Sequence, residues 1–276
     1  MNRTHFITGT SSGFGRLLTE HLLARGDRVA ATLRRPEALD DLKAEYGERL
    51  WVAALDVTDA AAVRAVVGRA FADIGRIDVV VSNAGYAVFG AAEEASDAQL
   101  RRQLDTNLIG SIQLIRAVLP HLRAQGGGRI VQVSSEGGQI AYPGFSLYHA
   151  SKWGIEGFVE AVAQEVAPFG IAFTLVEPGP AATDFGRGLD RTEPSPIYAD
   201  TPVQALRRAL EDGGFVLGDA RKMVREMLVS LDVSPPPRRL LLGAQAYVQV
   251  RAALQQRLVE LDAQRAIALS TERDAA

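Results

Sequence analysis

Short apolar runs and longer amphipathic stretches take turns along this chain. His5–Thr8 is a short run, and Gly13–Arg25 follows with Leu17, Leu18, His21 and Leu22 on overlapping faces of a helix. Arg28–Leu33 reads as a second strand and Leu50–Leu55 as a third; between them Pro36–Tyr46 is a helix whose first position suits proline. Thr58 or Asp59 caps a helix that runs to about Asp73. Ile77–Ser82 is a fourth strand, apolar almost throughout, as burial of both faces requires. A long helix is expected over 97–124, stopped by the glycines at 126–128. Arg129–Ser134 is a fifth strand, about 147–167 a further helix, and Ile171–Val176 a sixth strand.

Past residue 178 the pattern weakens. Residues 178–202 read as a loop with apolar points at Phe185, Leu189, Ile197 and Tyr198. Thr201–Glu211 and Asp219–Leu231 look helical, Ser234–Pro237 breaks the chain, Arg238–Leu242 is a seventh strand, and Ala244–Leu261 is the last helix. Strands alternating with helices predict an α/β fold. The expectation is one domain over 1–276, a Rossmann-like doubly wound parallel sheet of about seven strands with helices on both faces. Ligands of such sheets bind at the carboxyl ends of the strands, near the reversal of strand order.

Composition narrows the function classes. A net charge of −3 gives no basic excess for nucleic acid or an anionic membrane. The absence of cysteine excludes thiolate catalysis, disulfides and cysteine metal sites, and it fits a reducing, cytoplasmic setting. The four histidines are scattered without ligand spacing, so no metal site is expected. The N-terminus enters a strand with no signal-like apolar region, and no run approaches the ~18 apolar residues of a membrane span.

The residues with chemical character fall just after the strands. Gly9-Thr10-Ser11-Ser12-Gly13-Phe14-Gly15 joins the first strand to the first helix. Its glycines let backbone approach a pyrophosphate, and the helix N-terminus supplies free N–H groups. The spacing is G-x-x-x-G-x-G, which differs from the usual dinucleotide G-x-G-x-x-G. Tyr148 and Lys152 stand at i and i+4 on one helix face. A phenol near pKa 10 is a poor acid at neutral pH, and an adjacent ammonium is expected to lower it. Ser135 closes the fifth strand, where a hydroxyl can bond a substrate oxygen as charge builds. Ser134 is its rival on position alone, and Glu136 reads as a solvated or loop carboxylate.

Taken together, these motifs resemble the short-chain dehydrogenase/reductase family of the classical type. The resemblance adds Asn83-Ala84-Gly85 after strand four, Asn107 in the next helix, the thirteen-residue spacing from Ser135 to Tyr148, Tyr148-His149-Ala150-Ser151-Lys152, and Pro178-Gly179 with Thr183. It covers roughly residues 3–185; the last third is only loosely similar, most nearly to 17β-hydroxysteroid dehydrogenase-like reductases. It implies hydride transfer between a nicotinamide and a carbonyl or alcohol carbon. Tyr148 would be the general acid/base, with Lys152 beside it and on the ribose, Ser135 on the substrate oxygen, and Asn107 holding a water that relays protons through Lys152. Thr183 would reach the carboxamide, Asp56 and Val57 the adenine edge, and Asn83, Ala84 and Gly85 would line the cofactor or brace the sheet.

Cofactor choice turns on the end of strand two. NAD-preferring folds place an acid there for the ribose 2′-hydroxyl. Here Leu33 is followed by Arg34 and Arg35, and a guanidinium matches a 2′-phosphate. NADP(H) is expected, with Arg34 as its contact. Ser12 stands where some NADP-binding members carry a further basic residue, so NAD(H) use stays open. Residues 179–217, with Tyr142 and Phe145, are expected to form a lid over a small to medium, fairly apolar substrate. The resemblance also implies a homodimer or homotetramer through helices 97–124 and 147–167. Two other readings remain: a non-catalytic NADP-binding regulator on this scaffold, and a dehydratase or epimerase.

Overall fold

The computed structural model describes residues 2–213 and 216–273, so residues 214 and 215 of the expected lid lie outside the described residues. A parallel sheet of seven strands runs through the molecule in the order β3-β2-β1-β4-β6-β7-β9. These strands are β1 (Thr4–Thr8), β2 (Arg28–Leu33), β3 (Leu50–Ala54), β4 (Val79–Ser82), β6 (Gly128–Val133), β7 (Ile171–Pro178) and β9 (Arg239–Leu242). A separate parallel pair joins β5 (Val88–Phe89) to β8 (Asp190–Arg191). Period-2 patterning did not reveal that pair, because two residues are too few to carry a rhythm.

Alternate strand residues feed two cores. Phe6, Ala30, Val80, Ile130 and Phe173 meet α3 (Ala60–Ile74), α5 (Gly110–Ala124) and α6 (Ser146–Val166) on one face. Ile7, Val29, Ala31, Val79, Val81 and Val131 meet α1 (Gly13–Ala24), α2 (Asp40–Tyr46) and α8 (Ala220–Asp232) on the other. The parallel β1 and β4 are thus apolar on both sides, as a doubly covered sheet demands. Strand order reverses between β1 and β4, and the loops leaving them diverge to opposite faces.

The helix expected over 97–124 is interrupted. Its first part, α4 (Asp97–Leu104), passes into one wide turn of π-helix at Asp105–Ile109 before α5 begins. Asn107 lies in that turn, its amide spent on the backbone of Tyr86. Such widened turns are common where a side chain is aimed at a specific partner.

Charge is also buried at the β7–β9 edge. Arg239 donates to Glu156 at 2.6 Å, to Glu160 at 2.8 Å and to Glu177. Glu156 also accepts from Ser134 at 2.5 Å. Ser134 thereby spends its hydroxyl on a structural partner. The network ties the end of β6, α6 and the last two strands of the sheet together. After β9, α9 (Ala244–Ala263) buries Ala246 and Val250 and leaves Tyr247, Val248 and Leu258 exposed. Among the described residues no helix is long and apolar enough to cross a membrane.

The edge network gives a stability test. Arg239→Met would leave Glu156 and Glu177 without their cation. Removing one partner from buried charge costs about 3 kcal/mol or more. A clear fall in thermal midpoint is expected; an unchanged midpoint would show that the two carboxylates do not need the guanidinium.

Candidate active site

The parallel sheet brings its strand ends to one edge, and the glycine loop is packed there without slack. Gly9 has φ +71°, and a Cβ on it would fall 2.8 Å from Ala84 Cα in the loop after β4. A Cβ on Gly15 would fall 2.2 Å from Gly9 O and 2.6 Å from Asn83 Nδ2. Asn83 donates through Nδ2 to Thr8 O and Gly9 O at 2.9 and 3.0 Å. The Thr8 hydroxyl accepts from Asn83 N and Ala84 N. Asn83 and Ala84 thus brace the loop.

The same loop is open towards a ligand. Ser11 and Ser12 are exposed, and Ser12 makes no side-chain cap at the start of α1. Phe14 and Gly15 begin the helix, and Thr10 is fully buried with its hydroxyl towards Thr32 O. Gly13 lies 3.8 Å, measured to its would-be Cβ, from Thr183 Cβ, so the loops after β1 and β7 face each other across the cleft. The cradle therefore fits a dinucleotide phosphate: backbone without side chains, and helix N–H groups not taken by a cap. Arg34 is exposed at the end of β2, and its charge reaches Asp56. Asp56 is engaged locally, accepting from Thr58 N and its hydroxyl, and those bonds with Arg34 hold its carboxyl below the usual range. Val57 is buried, and its carbonyl lies 2.8 Å from a Cβ on Gly110.

The phenol, ammonium and hydroxyl meet in a dry place. Tyr148, Lys152 and Ser135 are 7, 6 and 6% exposed. Burial pushes the Tyr148 phenol up to about 12; the nearby Ser135 hydroxyl opposes the rise, and the charge of Glu136 adds to it. Burial brings the Lys152 ammonium down to about 8, with the charge of Glu156 opposing. The Lys152 ammonium donates to Val133 O at 3.0 Å and lies 5.5 Å from the centre of the Tyr148 ring. The expected lowering of the phenol by this lysine is therefore absent here: the ammonium is turned to Val133 O, and desolvation raises the phenol. Ser135 accepts from Gly137 N and donates to Pro178 O at 3.4 Å, joining the ends of β6 and β7. Gly179 follows, with its N–H on Leu242 O.

Asn107 is buried and bonds to Tyr86 N, Tyr86 O and the Ser151 hydroxyl, one residue before Lys152. A Cβ on Gly85 would lie 3.2 Å from its amide oxygen. This clamp sets the backbone after β4 against α6.

Two features escaped the sequence reading. Glu136 is 2% exposed, against the expectation of a solvated carboxylate, and burial pushes it up to about 7. Two glycines follow it at the strand end, and these let the chain fold over it; a charge flanked by glycines had looked like loop. The second feature is Glu94. It accepts from Ala91 N, Thr192 Oγ1, Ser195 N and Arg207 Nη2 at 2.8–2.9 Å, so it pins the expected lid at both its loop and α7 (Pro202–Glu211). From that lid, the Phe185 ring stands 5.9 Å from the Tyr148 ring. Tyr142, Phe145 and His149 complete an aromatic wall, and His149 holds its loop through Gly137 O and Tyr142 N. Among the described residues no group of acidic or histidine side chains could hold a metal.

A family-wide sequence profile described as short chain dehydrogenase matches residues 3–194. The chain belongs to the short-chain dehydrogenase family. Oxidoreductase BOA17 of Botryotinia fuckeliana is 41% identical over 89% of this short-chain dehydrogenase and 90% of its own length. A short-chain dehydrogenase from Streptomyces avermitilis superposes with a TM-score of 0.92 at 38% identity, over 99% of this chain and 100% of that one. Two Burkholderia structures carry cofactors. One from B. phymatum in complex with NAD has a TM-score of 0.81 at 22% identity, over 95% of each chain, and shows the shared fold alone. One from B. cenocepacia in complex with NADP has a TM-score of 0.74 at 27% identity, over 93% and 95%. This short-chain dehydrogenase is thus an oxidoreductase by family, on the doubly wound sheet that its sequence predicted.

Glu94 carries a pH test. Burial pushes its carboxyl up, but bonds from Ser195 N, Ala91 N, the Thr192 hydroxyl and Arg207 overcome this and bring it down to about 2 from an ordinary 4.5. Its contribution to stability is therefore present above about pH 4.5 and is lost as pH falls towards 2. Glu94→Gln should lower the urea midpoint at neutral pH, and its deficit against the native chain should shrink as pH falls below 4.5. A deficit independent of pH would show that the charge is not what anchors the lid.

Proposed function

We propose that this chain is an NADP(H)-dependent carbonyl reductase and alcohol dehydrogenase, with Tyr148 as general acid/base. The observation that carries the reading is the meeting of Ser135, Tyr148 and Lys152 in a buried pocket at the strand ends, facing a glycine cradle built for phosphate. When bound, the nicotinamide supplies or accepts the hydride. The backbone of Gly9 to Gly15 takes the pyrophosphate, with Asn83, Ala84 and Gly85 setting the cradle's depth. Asp56 and Val57 border the adenine, and Thr183, with Pro178 and Gly179, meets the carboxamide. Arg34 takes the 2′-phosphate; NAD(H) remains the weaker alternative, since no acid stands at the end of β2 to hold a free 2′-hydroxyl.

Ser135 and Tyr148 hold the substrate oxygen, and Tyr148 gives its proton to that oxygen in reduction or takes it in oxidation. A buried phenol keeps its proton at neutral pH, which suits the reductive direction. Lys152 would hold the ribose hydroxyls; its ammonium draws the phenol down once it turns from Val133 O, and a water held by Asn107 returns the proton through Lys152. The aromatic wall of Tyr142, Phe145 and Phe185 favours a small to medium, fairly apolar carbonyl compound. Ala150, Gly157 and Ala161 are exposed along α6, which supports a homodimer or homotetramer built on that helix.

NADPH and NADH oxidation against a panel of ketones and aldehydes tests the reading. NADPH turnover is expected, with Tyr148→Phe lowering it about 1,000-fold. Arg34→Ala should weaken NADPH about 10- to 100-fold and leave NADH unchanged. Turnover that survives in Tyr148→Phe, or an NADPH preference indifferent to Arg34, would overturn the respective assignment. For the assembly, Gly157→Glu should shift the mass seen by light scattering to that of one chain of 29.6 kDa. An unchanged assembly would move the interface elsewhere.

A further inference from the structure

The buried acids of this fold divide sharply. Asp27 is held by His5, Arg25 and Arg3 N. Glu156 and Glu177 share Arg239, with Ser134 and Gln139 as further donors. Glu136 is as deeply buried as these, and its Oε2 meets no protein donor among the described residues. An unpaired buried polar group is costly, and it persists where function uses it.

Its surroundings say what that use is. Glu136 follows Ser135 directly. A Cβ on Gly179 would lie 3.3 Å from Glu136 Oε2, which places that oxygen beside the turn leaving β7. Its charge acts on Tyr148 and on Tyr142 of the aromatic wall. The unpartnered oxygen therefore sits beside the turn leaving β7, one residue on from Ser135 and close enough to the Tyr148 phenol for its charge to be felt there.

We propose that Glu136 is a specificity-determining residue that hydrogen-bonds a hydroxyl on the substrate one or two bonds from the reacting carbonyl, so that the preferred substrates are hydroxy ketones and the diols they give. This rests on the carbonyl-reductase reading above. A hydroxyl suits the site because it both donates and accepts. It can therefore satisfy this carboxyl in either protonation state, and burial holds the group where both states are populated near neutral pH. A plain ketone would leave the acid unpaired, and a site built for a hydroxyl rejects an analogue that lacks it.

Three probes of one skeleton test this: 3-hydroxy-2-hexanone, 4-hydroxy-2-hexanone and 2-hexanone. In the native enzyme with NADPH, kcat/KM for one of the hydroxy ketones should exceed that for 2-hexanone by about 10-fold or more. Glu136→Leu should erase this ratio while 2-hexanone turnover holds or rises. Binding of the same probes to the Tyr148→Phe protein with NADP⁺, read by calorimetry, should show the same preference and the same loss, and it needs no turnover. Failure of the reductase reading would appear as a calorimetric preference without turnover. Failure of the Glu136 assignment would appear as no preference, no probe binding, or a preference that Glu136→Leu leaves intact. Thermal denaturation separates a structural role: Glu136→Leu should raise the midpoint at neutral pH, because it removes an unpaired buried acid. A marked fall in the midpoint would overturn the proposal.

Discussion

Asn83 and Thr8 hold the point on which the rest of the site depends. At the reversal of strand order, β1 and β4 must end level with each other while their loops turn to opposite faces. Thr8 lends its hydroxyl to two N–H groups of the β4 loop, and Asn83 returns two bonds to the backbone of β1. Four polar groups at a buried strand end are thereby satisfied by two side chains. The glycine loop is then pressed so close to this clamp that Gly9 and Gly15 have no room for a Cβ. Everything downstream is measured from there: the open start of α1, the facing Thr183, and the depth of the pocket that holds Tyr148.

Water exclusion sets the electrostatics of that pocket. The same burial drives the Tyr148 phenol up, the Lys152 ammonium down and the Glu136 carboxyl up, so all three are shifted towards their neutral forms. In such a medium a hydrogen bond or a nearby charge counts for more than it would at the surface. Ser135 influences the phenol while bonding the Gly137 N–H and the Pro178 carbonyl, and it links this corner to the sheet.

The sheet and most of the site were legible before any coordinates. Strand patterning revealed all seven main strands, since each carries a short run of mostly apolar residues between turn or helix signals. The glycine loop and the candidate set of Ser135, Tyr148 and Lys152 could be picked out because their spacing is tied to strand ends. What could not be read depended on distant packing. The widened turn at Asn107 answers to Tyr86 across a loop, and patterning within one helix carries no trace of it. The β5–β8 pair joins residues about a hundred positions apart. Glu136 looked like a loop carboxylate because two glycines follow it, while Gly179, which packs beside it, comes about forty positions later. Glu94 gave no signal either, as its cation comes from a helix more than a hundred residues on.

The anchoring of the lid by Glu94 bears on how a ligand is paid for in order. A flap that is disordered until its ligand arrives surrenders conformational freedom at the moment of binding. Here the segment is already fastened by Thr192, Ser195 and Arg207 to one carboxylate. Much of its order is thus in place before any ligand arrives, and little entropy is left to lose on binding. Residues between the fasteners do not carry these bonds, so the chain there can vary in sequence without loosening the frame.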